Sequence, residues 1–186
     1  MSDKTEKQLP QINGCKVIAQ SRLFRIEQLD LTFSNGEHAE YERLKGSHRG
    51  GVLVVALSDN NSFYMVREYS VGVERYELMF PKGRIENDEP VIEAANRELQ
   101  EEIGYAARKL TTIKSMTLAP GYIGHYTHIV LAEELYPATL AGDEPEPLDV
   151  VLWDMDKIHE LAMCAEVTEA RTIAAAYMVK SIMDQR

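Results

Sequence analysis

Residues 83–104 constrain this chain more than any other stretch. They read as an acid-rich loop leading into a helix whose polar side is mostly carboxylate. Residues 83–102 hold seven acids (Glu86, Asp88, Glu89, Glu93, Glu98, Glu101 and Glu102) against Arg84 and Arg97, a net −5 out of the protein's formal −10. Pro90 suits the first turn of a helix over residues 91–103, and Gly104 suits its C-terminal cap. At about 100° per residue, Ile92, Ala95, Leu99 and Ile103 fall within an arc of about 80°, the stripe such a helix buries. Glu93, Asn96 and Gln100 fall on a second arc, facing water. Arg97, Glu98, Glu101 and Glu102 share the third, from about 140° to 280°.

The third face is costly on its own terms. Glu98 is three and four residues from Glu101 and Glu102, and like charges at these spacings cost an exposed helix ~0.2–0.5 kcal/mol each. They also crowd the end of the helix where its dipole disfavours anions. A divalent cation relieves both problems, and carboxylate oxygens select hard ions, so Mg²⁺ or Mn²⁺ is expected in preference to Zn²⁺. Arg97 lies four residues from both Glu93 and Glu101 and is placed to orient one of them. A solvated acidic face is the other reading of the helix taken alone. The long spacing from Gly83 through Glu89 to the run Arg97-Glu98-Leu99-Gln100-Glu101-Glu102-Ile103-Gly104 weighs against it.

Around this segment the pattern is α+β. Strands are expected at residues 15–19, 24–31, 37–44, 50–57, 63–69, 74–80, 111–118, 127–133 and 150–153, with Ser34-Asn35-Gly36 as a hairpin turn. Helices are expected at 91–103, 155–162 and 168–184, loops at 83–90 and 136–147, and a loose N-terminus over residues 1–11. Strands first and helices in the middle and at the end give a mixed sheet with helices packed on it. At 186 residues the chain reads as one domain of ordinary size. No apolar run approaches the roughly 18 residues of a membrane span, and the polar first residues do not read as a signal peptide. The acidic surface disfavours extended nucleic acid and anionic membrane. Two cysteines, Cys15 and Cys164, cannot form a disulfide framework and are expected as reduced thiols in the cytoplasm. No dinucleotide fingerprint, P-loop, nucleophile elbow or zinc-type cluster is present.

The spacing G-x5-E-x7-R-E-U-x-E-E-x-G-U, with U a bulky aliphatic, is the signature of the Nudix hydrolases. Gly83, Glu89, Arg97, Glu98, Leu99, Glu101, Glu102 and Gly104 match it, and Tyr105 stands where an aliphatic residue is usual. Outside this box, Arg67-Glu68-Tyr69-Ser70-Val71-Gly72, Tyr76-Glu77-Leu78, Ala119-Pro120-Gly121-Tyr122 and the acidic run from Leu140 to Leu148 resemble the ADP-ribose pyrophosphatase branch. Within that branch the chain is similar to bacterial hydrolases of ADP compounds.

The resemblance implies a Nudix fold, a mixed sheet between helices (an α/β/α sandwich), over residues 49–186, with an antiparallel β extension at 12–48 used for homodimerisation. It implies a Mg²⁺-dependent pyrophosphohydrolase, with Mn²⁺ as substitute. The expected substrates are small ADP-containing nucleotides: ADP-ribose, diadenosine di- and triphosphates, and NADH. Glu98 and Glu102 are expected as main metal ligands, joined by the backbone carbonyl of Lys82, with Glu101 sharing the ion or standing behind it. Glu89 is expected to pair with Arg97 and hold loop to helix, or to take part in catalysis; Gly83 and Gly104 serve the motif structurally. A general base is expected on the loop after the core strands, Glu146 first and Glu144 second, against the reading of a solvated loop stiffened by prolines. Arg67 is a candidate phosphate clamp or a surface ion-pair member, and Tyr122 a candidate for stacking on adenine or an ordinary loop tyrosine. Glu77 is grouped with them as a substrate contact. His125 and His128 read as structural or surface residues. Another nucleotide class, or a ligand sensor without catalysis, remains open at this level; such sensors usually have a broken box, and this one keeps every acid and the arginine.

Overall fold

The apolar run at residues 52–57 and the hairpin at residues 34–36 belong to two different sheets. The computed structural model describes residues 7–46, 49–86 and 88–186. The chain forms two units, Met1–His48 with Ala119–His125, and Arg49–Leu118 with Tyr126–Arg186. In chain order the elements are β1 (Gln11–Gln20), β2 (Arg25–Thr32), β3 (His38–Lys45), β4 (Gly51–Leu57), β5 (Ser62–Ser70), β6 (Arg75–Met79) and β7 (Lys82–Arg84). Helix α1 (Val91–Glu102) follows, then β8 (Tyr105–Thr117), β9 (Ile123–Gly124), β10 (Tyr126–Pro137) and β11 (Asp149–Asp154). A 3₁₀ turn (Met155–Lys157), α2 (Ile158–Met163) and α3 (Ala170–Met183) end the chain.

The smaller unit is a four-stranded sheet in the order β1-β2-β3-β9. Asn35 turns the β2–β3 hairpin, its Oδ1 accepting from the Glu37 N–H at 3.1 Å. Leu29 is buried, and so is Glu27, which accepts from Arg43 Nη2 at 2.9 Å and pairs with Arg25 at 3.1 Å. Every residue of β1 is exposed.

In the larger unit every residue of β4 is buried, as a strand covered on both faces must be. It pairs parallel with β10, and the sheet runs β11-β5-β4-β10-β8. Strands β4 and β5 pair only at Ala56↔Tyr64 and Leu57↔Phe63, then part. Beyond that fork β7 takes the edge of β4, and β6 the edge of β5. Alternate β4 side chains serve two cores. Val52, Val54 and Ala56 pack with Ala95 and Leu99 of α1 and with Ile103 just after it; Leu53, Val55 and Leu57 pack with Leu161, Ala176 and Val179 of α2 and α3. This is the α/β/α layering expected. Leu99 is fully buried, so its truncation to alanine costs about 2–5 kcal/mol.

Several boundaries differ from the sequence reading. Strand β8 starts at Tyr105, not at 111, because Gly104 ends α1 and Asn96 Oδ1 at once accepts from the Ala107 N–H at 2.8 Å. Strand β10 runs on to Pro137, in a stretch read as loop, because it pairs with β8 as far as Pro137↔Tyr105; proline at a strand end costs no ladder bond. The short β7 and β9 carry no hydrophobic period and were not expected. Of the loose N-terminus expected over residues 1–11, residues 1–6 lie outside the described residues, and Gln11 already belongs to β1. His125 precedes β10; His128 lies on it, 2.8 Å from Ser115 Oγ.

Candidate active site

Helix α1 begins after Pro90, whose φ of −65° and ψ of 147° turn the chain out of the loop. It closes with the Ile103 N–H on the Leu99 carbonyl at 3.1 Å and with Gly104 at φ +72°. Glycine is needed there for conformation, the left-handed region that side chains resist. Gly83 is needed for space. Its φ is not positive, yet a Cβ there would lie 2.0 Å from both Cδ and Oε1 of Glu98.

Arg97 is the hub. Its Nε and Nη2 donate to the two oxygens of Glu89 at 2.9 and 3.0 Å, and Nη2 also reaches the Arg84 carbonyl at 2.9 Å. Nη1 donates to Glu98 Oε1 and Glu101 Oε2, both at 2.8 Å. Glu89 in turn accepts from the Glu86 N–H at 3.1 Å. The guanidinium thus ties the loop to the helix and fixes two acids, with Glu101 rather than Glu93 as its neighbour four residues away. Its charged form is strongly favoured, first by the Glu89 bond.

Glu98 and Glu102 are buried, at 7% and 8% relative exposure. The helical wheel sets them beside the apolar stripe, and the packed sheet turns that adjacency into burial. Burial pushes the Glu98 carboxyl up to about 7 despite Arg97, with the charges of Glu101 and Glu144 adding to the rise. Burial pushes Glu102 up to about 8; Lys82 opposes the rise, and Glu98 and Glu68 add to it. Glu102 Oε1 accepts from the Lys82 N–H at 3.2 Å. Its Oε2 is buried without a hydrogen-bond partner among the described residues. Such an orphan costs about 1–3 kcal/mol, more when charged.

Among the described residues no three acidic, histidine or cysteine side chains converge in ready metal geometry. Arg97 holds Glu98 and Glu101, and Lys82 holds one oxygen of Glu102. The donor set nonetheless fits a hard divalent ion: oxygen ligands only, one oxygen unpartnered, and a glycine letting a carboxylate lie against the backbone.

A cavity of about 270 Å³ adjoins this cluster, lined by Glu101 and Glu102 on one side and by residues of the 142–148 loop on the other. Glu144 is half-buried and folds back on Gly142, where a Cβ would lie 2.2 Å from its Oε2. Glu146 is exposed, and its Oε1 accepts from Tyr76 Oη at 2.5 Å.

The remaining candidates have other partners or belong to the other unit. Arg67 on β5 donates to Glu166 at 3.0 Å and to Asp149 at 3.5 Å. Glu77 on β6 is buried, and its oxygens accept from Thr168 N and Oγ1 at 3.0 and 2.8 Å and from Arg75 Nε at 2.6 Å. Expected as a substrate contact, it is here a peg joining β6 to the segment before α3, with both oxygens taken. Tyr122 lies in the smaller unit, with its side chain exposed. Sequence reasoning missed Glu68, whose Oε2 accepts from Lys82 Nζ at 2.5 Å and whose charge acts on Glu102. It also gave no role to Tyr76. Both stand in the quoted runs, but their partners lie 14 and 70 residues away, beyond any local pattern.

Comparison with known proteins accords with this geometry. Residues 47–175 match the NUDIX domain family model, and residues 10–43 match that of the NudE-type Nudix hydrolase N-terminal domain. The chain is 44% identical to the ADP compounds hydrolase NudE of Escherichia coli K12 over 173 residues, 93% of this chain and 92% of that one. It is 33% identical to the ADP-ribose pyrophosphatase of Bacillus subtilis 168 over 167 residues, 86% of this chain and 89% of that one. A solved structure described as an ADP compounds hydrolase superposes with a TM-score of 0.91 at 42% identity, covering 97% of each chain.

Proposed function

The chain belongs to the Nudix hydrolase family, and from that premise we propose that it cleaves the diphosphate linkage of ADP-containing compounds with the aid of Mg²⁺, or Mn²⁺ in its place. The reaction class, hydrolysis of a pyrophosphate bond, comes with the family and its close relatives. The substrate class rests on the activities for which the two bacterial relatives are named, ADP compounds and ADP-ribose. ADP-ribose, diadenosine di- and triphosphates and NADH are the compounds expected to be cleaved to AMP and a second phosphorylated product.

One observation carries the reading: Glu102, buried beside the equally buried Glu98 and with one oxygen unpartnered among the described residues, borders with Glu101 a cavity roofed by a loop with further acids. Glu98, Glu102 and the Lys82 carbonyl would hold the ion, with Glu101 shared or standing behind it. Bound there, a divalent ion supplies charge neutralisation and a more acidic water. Arg97 keeps Glu98 and Glu101 in place, and Glu89 keeps Arg97 in place. In the reaction a water oxygen bonds to phosphorus and the bridging P–O bond breaks. The leaving phosphate takes the electron pair, and a carboxylate of the 142–147 loop accepts the water's proton.

The test is AMP release from ADP-ribose, diadenosine triphosphate, NADH, GDP-mannose and ATP, with Mg²⁺ and with EDTA. Metal-dependent cleavage confined to the ADP compounds, lost in Glu102→Gln, supports the reading. Equal turnover of GDP-mannose or ATP, or none of the ADP compounds, overturns it.

The smaller unit is best read as a pairing surface for a second copy. Strand β1 is an edge strand, exposed along its whole length, and shows Ile12, Val17 and Ile18 to solvent. Exposed edges of this kind are ordinarily covered. Sedimentation equilibrium giving a dimer supports this; a monomer at micromolar concentration refutes it.

A further inference from the structure

The loop between β10 and β11 has few means of holding its shape. It is fastened at one end by the Leu140 N–H on the Gln100 carbonyl at 3.1 Å. At the other end Asp149 pairs with Arg67 at the start of β11. Between these ends stand Pro145 and Pro147, which have no N–H to donate. Glu146 sits between them, so the tip depends on side chains for its position. The side chain that reaches it is Tyr76, whose Oη donates to Glu146 Oε1 at 2.5 Å.

Tyr76 stands on a firm base. The Tyr69 ring packs edge-on against it, with centroids 5.7 Å apart and planes at 67°. The next residue, Glu77, is buried and pegged to Thr168. Strand β6 is therefore fixed on both sides of the tyrosine.

The loop acids are thereby sorted. Glu146 is exposed and held by Tyr76, whereas Glu144 is half-buried, lies against Gly142 beside the Glu101 carbonyl, and acts electrostatically on Glu98. We propose that Tyr76 is a positioning residue: it anchors the loop through Glu146, and the anchored loop presents Glu144 to the Glu98–Glu102 cluster as the proton acceptor. This rests on the hydrolase reading above and reverses the order of the two acids expected from sequence.

The experiment compares wild type, Tyr76→Phe, Glu146→Gln, the double variant and Glu144→Gln. Each is measured for kcat and KM on ADP-ribose with Mg²⁺ and for amide hydrogen exchange of residues 140–148 without substrate. Tyr76→Phe keeps the ring and the Tyr69 contact and removes only the donor. Loss of one such bond is expected to lower kcat by about three- to tenfold, with KM little changed and faster exchange in the loop. Glu146→Gln keeps an acceptor for the Tyr76 hydroxyl but loses the charge, so it should fall between wild type and Tyr76→Phe, and the double variant should be no worse than Tyr76→Phe, since two partners of one contact are not additive. Glu144→Gln should lose about 10²–10⁴-fold in kcat, the usual worth of a general base. Additive losses, unchanged exchange in Tyr76→Phe, or a larger loss in Glu146→Gln than in Glu144→Gln overturns the proposal. If wild type itself turns over no ADP compound, the hydrolase reading fails, and the exchange data still decide whether Tyr76 anchors the loop.

Discussion

Replacing Gly83 with alanine tests whether this glycine exists to admit Glu98. The backbone there tolerates alanine, because φ is not in the left-handed region. Space is the obstacle: the three atoms nearest an added Cβ are the carboxyl atoms of Glu98, at 2.0, 2.0 and 2.2 Å. Contacts under 3.0 Å are essentially never seen, so the carboxylate must retreat by about 1 Å or more. A misplacement of about 1 Å in a reacting constellation costs on the order of 10²-fold in rate, which is about 2.7 kcal/mol of transition-state stabilisation. Stability should suffer less, since the atoms that must move are the far end of a flexible side chain and not backbone. The assay is kcat/KM on ADP-ribose across a Mg²⁺ titration, beside a thermal melt of the same preparation. The expected result is a folded protein with kcat/KM down about 10²-fold and a weakened Mg²⁺ response. Wild-type kcat/KM, or a loss explained wholly by unfolding at the assay temperature, would refute the argument.

Arg97→Lys keeps the charge but cannot grip Glu89 with two nitrogens while holding Glu98 and Glu101 with a third; kcat should fall by about 10²-fold or more, and steady-state kinetics equal to wild type would show that the fork is dispensable. Glu77→Gln bears on acid stability. Burial alone would raise this carboxyl, but the Thr168 and Arg75 bonds outweigh burial and hold it below its ordinary value of 4.5. A depressed carboxyl stabilises the fold above its unfolded value, and that stability is lost as pH falls through the folded one. Urea unfolding should therefore show Glu77→Gln less stable than wild type at pH 7, with the gap closing below about pH 4.5; a gap constant with pH would sink this account.

The box was legible because its geometry is local. One turn of helix separates Glu98 from Glu102, and the arc that carries them adjoins the apolar stripe, so their nearness and the wish for a cation follow from 3.6 residues per turn. The strand pattern was legible for the same reason wherever alternation or an apolar run marks it, as at residues 52–57. What failed were boundaries set by a partner: β10 runs to Pro137 only because β8 lies beside it, and β7 exists only because β4 and β5 part.

The amino-acid order by itself determined the family, the α1 helix and which residues of the box meet on one face, since each depends on neighbours within a few positions. Tertiary structure decided the rest. It buried Glu98 and Glu102, and burial rather than their mutual spacing is the main cause of their raised pKa values. It bonded both oxygens of Glu77 to Thr168 and Arg75, and it set Glu68 on Lys82 and Tyr76 on Glu146. These outcomes turn on distances between residues far apart in the chain, and side-chain hydrogen bonds and desolvation act only once packing has brought such groups within about 3 Å.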